Sequence, residues 1–269
     1  MWLTFRATFI RNFITMKRAY PWSFFVGHIL TGVYLTLFAF LTYHYVFDQS
    51  MDGQFQSYAE TGDYLSYVIS GALLYTFSVS LLMIVSRALI TELREGTLEA
   101  LLLTPSSRKG YFLGYLSQGF MRMGIEFIAM LLLGALFGLT FSNVNLLATG
   151  TVLAVFITCL FSQALVLGGF MLQFRDTYLT QNTLFILMGL VCSITFPIEY
   201  LPQSVQWIGL IMPLTHGIDA FRDVFVEGAG IIAVRESIYW LIGLTIIYFP
   251  VGSLFLQRME RTVLEKHFG

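Results

Sequence analysis

Three carboxylates and one guanidinium fall within two helical turns at Glu92, Arg94, Glu95 and Glu99. They belong to the run Glu92-Leu93-Arg94-Glu95-Gly96-Thr97-Leu98-Glu99-Ala100-Leu101-Leu102-Leu103-Thr104-Pro105. Leu93, Leu98, Leu101 and Leu102 recur at helical spacing, so the run predicts a short amphipathic helix that offers acids on one side and is closed by Pro105. The chemistry open to such a helix is recognition of a basic or polar groove. A solvated connection between two apolar stretches is the other use of the same residues. Arg175 and Asp176, further along, offer a second polar touch point or a local ion pair.

Other residues test for catalysis. Asp219 and Asp223 stand four residues apart with Arg222 between them, a spacing that would suit a Mg²⁺-dependent transferase. Such an enzyme needs further acids on a second helix, and the chain has no comparable cytoplasmic D-x-x-x-D cluster, so no metal site is predicted. His28, His44, His216 and His267 are scattered without an H-E-x-x-H pattern, and His216 is expected to hydrogen-bond within its own segment. No nucleophile elbow occurs, and Ser162 and Ser193 in apolar runs can satisfy themselves on backbone carbonyls. The phosphate cradle G-x-x-x-x-G-K-[ST] is absent, which leaves no P-loop route for ATP in this chain. Arg122 and Glu126, one turn apart toward the cytoplasmic end of the third predicted span, can neutralise each other. They read either as a polar patch at the entrance of a substrate path or as a pair stitching that span to a neighbour.

The elements that carry these residues are membrane elements. Of 269 residues 57% are hydrophobic and only 12% charged, and mean hydropathy is +0.74, which excludes an ordinary soluble domain. Apolar runs of crossing length predict six spans, at about 22–47, 64–90, 112–141, 146–173, 184–196 and 238–256. The fifth is short and ends at Pro197. Lys and Arg segregate: Arg6, Arg11, Lys17, Arg18, Arg87, Arg94, Arg108, Lys109, Arg175, Arg258, Arg261 and Lys266 share one side, whereas the opposite side has Asp48, Asp52, Glu60 and Asp63 in the first loop and only Arg222 and Arg235 in the last. Both termini are therefore expected on the cytoplasmic side of the cell membrane. The first apolar run is too long for a signal h-region, so it is expected to persist as a span. Before it, Phe5, Phe9 and Phe13 repeat every four residues beside Ile10 and Ile14, predicting an interfacial helix over residues 1–21.

Between the fifth and sixth spans, residues 197–236 hold Pro197, Pro202 and Pro213 among apolar pieces too short to cross. Residues 205–212 and 218–226 each predict two or three helical turns, consistent with an external helical hairpin that re-enters the bilayer. Gly134 and Gly138 form a G-x-x-x-G that permits close helix approach, within the chain or between copies. Aromatic residues in the spans serve as lipid anchors or line an apolar path. Cys159 and Cys192 act as small hydrophobes. The fold class is thus an all-α polytopic membrane protein, a single domain over 1–269, and no nucleic-acid partner is expected.

The docking run resembles the ABC-2 type transporter permeases, whose second and third spans are joined by a stretch like E-x-x-x-G-T-L-E-x-L-x-x-T-P. Glu92, Gly96, Thr97, Leu98, Glu99, Leu101, Thr104 and Pro105 occupy those places. Residues 196–222, with Pro197, Pro202, Pro213, His216, Asp219 and Arg222, resemble that family's re-entrant region, an external gate. The resemblance implies a non-catalytic half-transporter with a coupling-helix loop at 91–109. It also implies homodimer or pseudo-dimer assembly, and ATP and Mg²⁺ held by partner ATPase subunits that drive export of an amphipathic cargo through the lipid bilayer. An intramembrane lipid-modifying enzyme and an ion-coupled secondary transporter are the competing classes. The first would act on lipid alone and the second would show buried acids at mid-membrane, where Glu126 is nearly the only candidate.

Overall fold

The structure, a computed structural model, describes residues 1–19, 23–45, 55, 64–94, 96, 107–137, 144–174 and 177–268. Among these residues the chain is helical and contains no strand. Helices α1 (Trp2–Ala19) and α2 (Ser23–Tyr45) precede α3 (Tyr64–Arg94), α4 (Arg108–Leu136), α5 (Leu146–Phe174) and α6 (Thr177–Val191). A 3-10 turn (Ile198–Tyr200) leads into α7 (Gln203–Leu210) and α8 (Pro213–Phe225), and α9 (Arg235–Phe268) follows.

Four of these helices carry segments long and apolar enough to cross a bilayer: Tyr64–Ala88, Gly110–Leu136, Leu146–Phe174 and Arg235–Met259. Helix α2 spans 23 residues without Asp, Glu, Lys or Arg. Helix α6 has 15, roughly 22 Å, short of a core about 30 Å thick. The expected spans at 64–90 and 146–173 lie on α3 and α5. The third expected span is shifted, because Ser107 caps α4 by accepting the Gly110 amide at 3.2 Å and starts the helix at Arg108. The fifth is displaced more: α6 stops at Val191, and residues 192–196, expected to be helical, form a series of bends. The sixth is the centre of a 34-residue helix, longer than any apolar core requires.

Helix α3 is the centre of the packing. Its most apolar window is 89% buried, against 17% for that of α9. Ile69, Leu73, Leu74, Leu81 and Leu82 join Phe156 and Leu160 of α5 and Phe221 of α8 in one core. The most extensive helix pairing is α5 with α9. Small residues make it close: a Cβ on Gly252 would stand 2.9 Å from both Leu165 Cβ and the Val166 amide, and Phe255 lies across Gly169.

Helix α1 docks side by side on the first turns of α4. A Cβ on Gly110 would stand 2.6 Å from the Met1 carbonyl, and one on Gly114 2.5 Å from the Phe5 carbonyl, so both chains advance by one turn in the same direction. Gly110-x-x-x-Gly114 is thus the seat of α1. Gly138 of the G-x-x-x-G expected at the other end of this span lies outside the described residues. Thr8, 7% exposed, is sealed in the interface. In Gly114→Leu the side chain should lift α1, so that a Thr8→Cys probe, protected from a water-soluble maleimide in the parent chain, becomes labelled. Equal protection in both backgrounds would refute this packing.

Candidate functional site

Polar contacts are gathered at three levels of α3. At the end of α3, Glu92 is only 2% exposed. It accepts a hydrogen bond from the Tyr111 hydroxyl of α4 at 2.8 Å and is ion-paired with Arg11 of α1. Tyr111 also reaches the Ala88 carbonyl at 3.3 Å, and the Arg11 guanidinium lies 5.8 Å from the centre of the Tyr111 ring. Burial opposes the charge on Arg11, but the hydrogen bond and the charge of Glu92 outweigh it and hold the guanidinium above its ordinary pKa. The carboxylate expected to face a partner therefore faces inward and ties three helices together. Arg94 lies in the last turn of α3 and Gly96 adopts a left-handed φ of 70°, a conformation open to glycine. Glu95, Thr97, Glu99, Thr104, Pro105, Arg175 and Asp176 lie outside the described residues.

At the middle of α3 the Ser80 hydroxyl donates to Glu126 Oε2 at 2.6 Å, and Glu126 Oε1 stands 3.5 Å from Arg122 Nε. The pair was expected near the inner end of its span. It sits instead at the centre of α4, because that helix begins at Arg108. Ser80 makes it a cross-link between α3 and α4, which is the stitching arrangement. A small cavity beside it is lined by Thr76, Phe77, Met123, Glu126 and Phe127.

At the start of α3 the third contact set centres on Arg222 of α8, 4% exposed. Its Nη2 donates to the carbonyls of Tyr67 at 3.0 Å, Ser193 at 2.6 Å and Ile194 at 3.3 Å. Its Nε adds the Tyr67 carbonyl at 3.3 Å and Ser70 Oγ at 3.4 Å, and its Cζ lies 3.4 Å over the Tyr67 ring. Asp219, one turn back, places a carboxylate oxygen 3.7 Å from Nη1. Buried guanidinium needs this many acceptors. The carbonyls are available because the chain leaves helical geometry: Ser193 has a φ of 51°, rare outside glycine. Gly71 leaves room for the Ile194 carbonyl and the guanidinium.

The prolines set the hairpin that carries Arg222. Pro197 precedes the 3-10 turn with φ −58°, Pro202 precedes α7 with φ −56°, and Pro213 is the first residue of α8. His216 places Nε2 2.8 Å from the Leu210 carbonyl and stacks on Trp240 of α9, ring centres 5.1 Å apart, while Thr215 donates to the Gly209 carbonyl at 2.7 Å. The corner between α7 and α8 is thereby closed.

Tyr111, Gly110, Gly114 and Tyr67 escaped the sequence reading, while Arg11 entered it only as a topogenic charge and Ser193 only as a hydroxyl. The spacing Gly110-x-x-x-Gly114 was the available signal. Partners of Arg222 that act through backbone carbonyls leave none.

Among the described residues, an all-helical bundle of apolar crossings with buried charges locked to one central helix is the architecture of a multi-pass membrane protein. The sequence profile of the ABC-2 family transporter proteins matches residues 44–254, and the chain belongs to that family, the membrane permeases of ABC transport systems. No curated protein matches the chain.

Arg222→Lys keeps the charge but supplies a single ammonium for carbonyls of α3 and of the bend after α6. It should lower unfolding stability by about 2–3 kcal/mol, read from thermal unfolding of the purified protein; wild-type stability would show that the carbonyl contacts contribute nothing. At the middle level, Arg122→Leu/Glu126→Leu should be more stable than either single change, since each single leaves one buried charge behind. Additive losses would rule out the pair as a cross-link.

Proposed function

We propose that this permease is the membrane subunit of an ATP-driven exporter that moves an amphipathic substrate, such as a drug, a lipid-linked saccharide, a glycolipid or a peptide. Helices α2, α3, α4, α5, α6 and α9 make six crossings of the cytoplasmic membrane. Both termini and the segment 91–109 face the cytoplasm, as the segregation of Lys and Arg requires. The segment 197–236 forms the external gate. Two permease copies, identical or similar, assemble with ATPase subunits that hold ATP and Mg²⁺.

The observation that carries this reading is the place of Glu92. The first residue of the docking motif is also the point where α1, α3 and α4 meet. A partner that engages Glu95 and Glu99 pushes on a base held by three helices, rather than on a loose loop. Arg175 and Asp176 give the partner a second point of contact. A partner shifts the permease between inward and outward states only through different affinity for the two, so the hold on this base changes with the nucleotide bound.

Two variants separate docking from transmission. Glu99→Lys should reduce copurification of the ATPase subunit with the tagged permease. Glu92→Arg should leave copurification intact but abolish stimulation of ATP hydrolysis by cargo-containing membrane, and Arg11→Glu/Glu92→Arg should restore part of it. Full stimulation in Glu92→Arg would exclude this base as the transmitting contact.

A further inference from the structure

Thr76 and Ser80 stand one turn apart on α3, and both meet Glu126 of α4, one directly and the other across a cavity. Ser80 donates to Glu126 Oε2. Thr76 makes no second such bond, because its hydroxyl hydrogen is committed to its own helix, to the Ala72 carbonyl at 2.9 Å and the Leu73 carbonyl at 3.0 Å. Glu126 Oε1 has no hydrogen-bond donor among the described residues. Arg122 Nε stands 3.5 Å from that oxygen as a charge partner without closing a hydrogen bond. The Glu126 side chain is only 8% exposed, so solvent at the surface of the bundle does not make up the shortfall.

Thr76 and Glu126 border a cavity of about 10 Å³, the room that one water takes, whose other walls are Leu73, Phe77, Met123, Phe127 and Met130. From the two polar walls and the size of the space we infer that this cavity is a binding site for a single water molecule, which donates one hydrogen to Glu126 Oε1 and the other to Thr76 Oγ1. The hydrogen-bond inventory selects this ligand. Thr76 and Glu126 both present acceptors, so the occupant must carry two donor hydrogens. An anion is repelled by the carboxylate, and a further cation finds that charge already matched by Arg122. An apolar molecule would seal a carboxylate oxygen away with nothing to bond, a cost that water removes. Helices α3 and α4 are thereby joined at the middle level through a hydration site as well as through Ser80, and that part of the cross-link can exchange with solvent.

The inference goes beyond the exporter reading, and its test needs neither ATPase nor cargo. In a brief X-ray pulse a bound water is split in place and oxidises the side chains beside it. Met123 and Met130, each 3% exposed, line the cavity, whereas Met171 and Met188 are fully buried away from it. In the purified full-length chain Met123 and Met130 should be oxidised several-fold faster than Met171 and Met188. Thr76→Ile, which fills the space and removes one acceptor, should abolish that excess, and Thr76→Ser should preserve it. Oxidation no faster than that of the two controls would overturn the inference, as would an excess that survives in Thr76→Ile or is lost in Thr76→Ser. If Thr76→Ile does not fold, a high-resolution density map of the parent chain decides. A peak within hydrogen-bond reach of Glu126 Oε1 and Thr76 Oγ1 supports the site, and no peak there overturns it.

Discussion

A charge withdrawn from water has to be met by other polar groups, and around α3 that requirement is met three times. Arg222 is met by carbonyls of Tyr67, Ser193 and Ile194, Glu126 by Ser80 and Arg122, and Glu92 by Arg11 and Tyr111. None of these charges sits on a lipid-facing stripe. Each joins α3 to a different set of neighbours, so the central helix is fixed along its length by directional contacts as well as by packing. Between Tyr67 and Glu92 the helix rises roughly 38 Å, the full depth of a bilayer core and more.

Such a helix behaves as a strut. Apolar packing alone is tolerant of sliding, since one leucine contact resembles the next. Hydrogen-bonded charge is not tolerant, because a shift of one ångström leaves a carboxylate or guanidinium unsatisfied in a low-dielectric setting. Helix α4 shares two of these contacts but, like α9, has far less of its apolar surface buried. In a permease driven from outside the bilayer, the element able to carry displacement from one membrane face to the other is the one that cannot deform locally.

Much of this was legible in the residues. The apolar runs located α3 and α5 because a run that packs on every side stays apolar on every side. Pro197, Pro202 and Pro213 marked the short helices, since proline fixes φ at a helix start whatever surrounds it. Glu92 was harder. In a charged run it looks solvent-facing, and its partner Arg11 lies 81 residues upstream, beyond any local pattern. Arg222 was singled out by resemblance, but its role rests on main-chain oxygens, which every residue owns and no sequence displays. The fifth span is misplaced for a related reason: composition favours helix through Phe196, yet Pro197 has no N–H for the Ser193 carbonyl, which with that of Ile194 accepts from the guanidinium.

That capture holds the chain just past α6. As it stands, the helix falls short of the hydrocarbon thickness by about a quarter; Pro197 supplies no N–H to the Ser193 carbonyl, and a side chain of α8 does so instead. The five residues 192–196, bent rather than helical, span the remaining distance to Pro197. The end of one helix is thereby set in part by a side chain that another supplies.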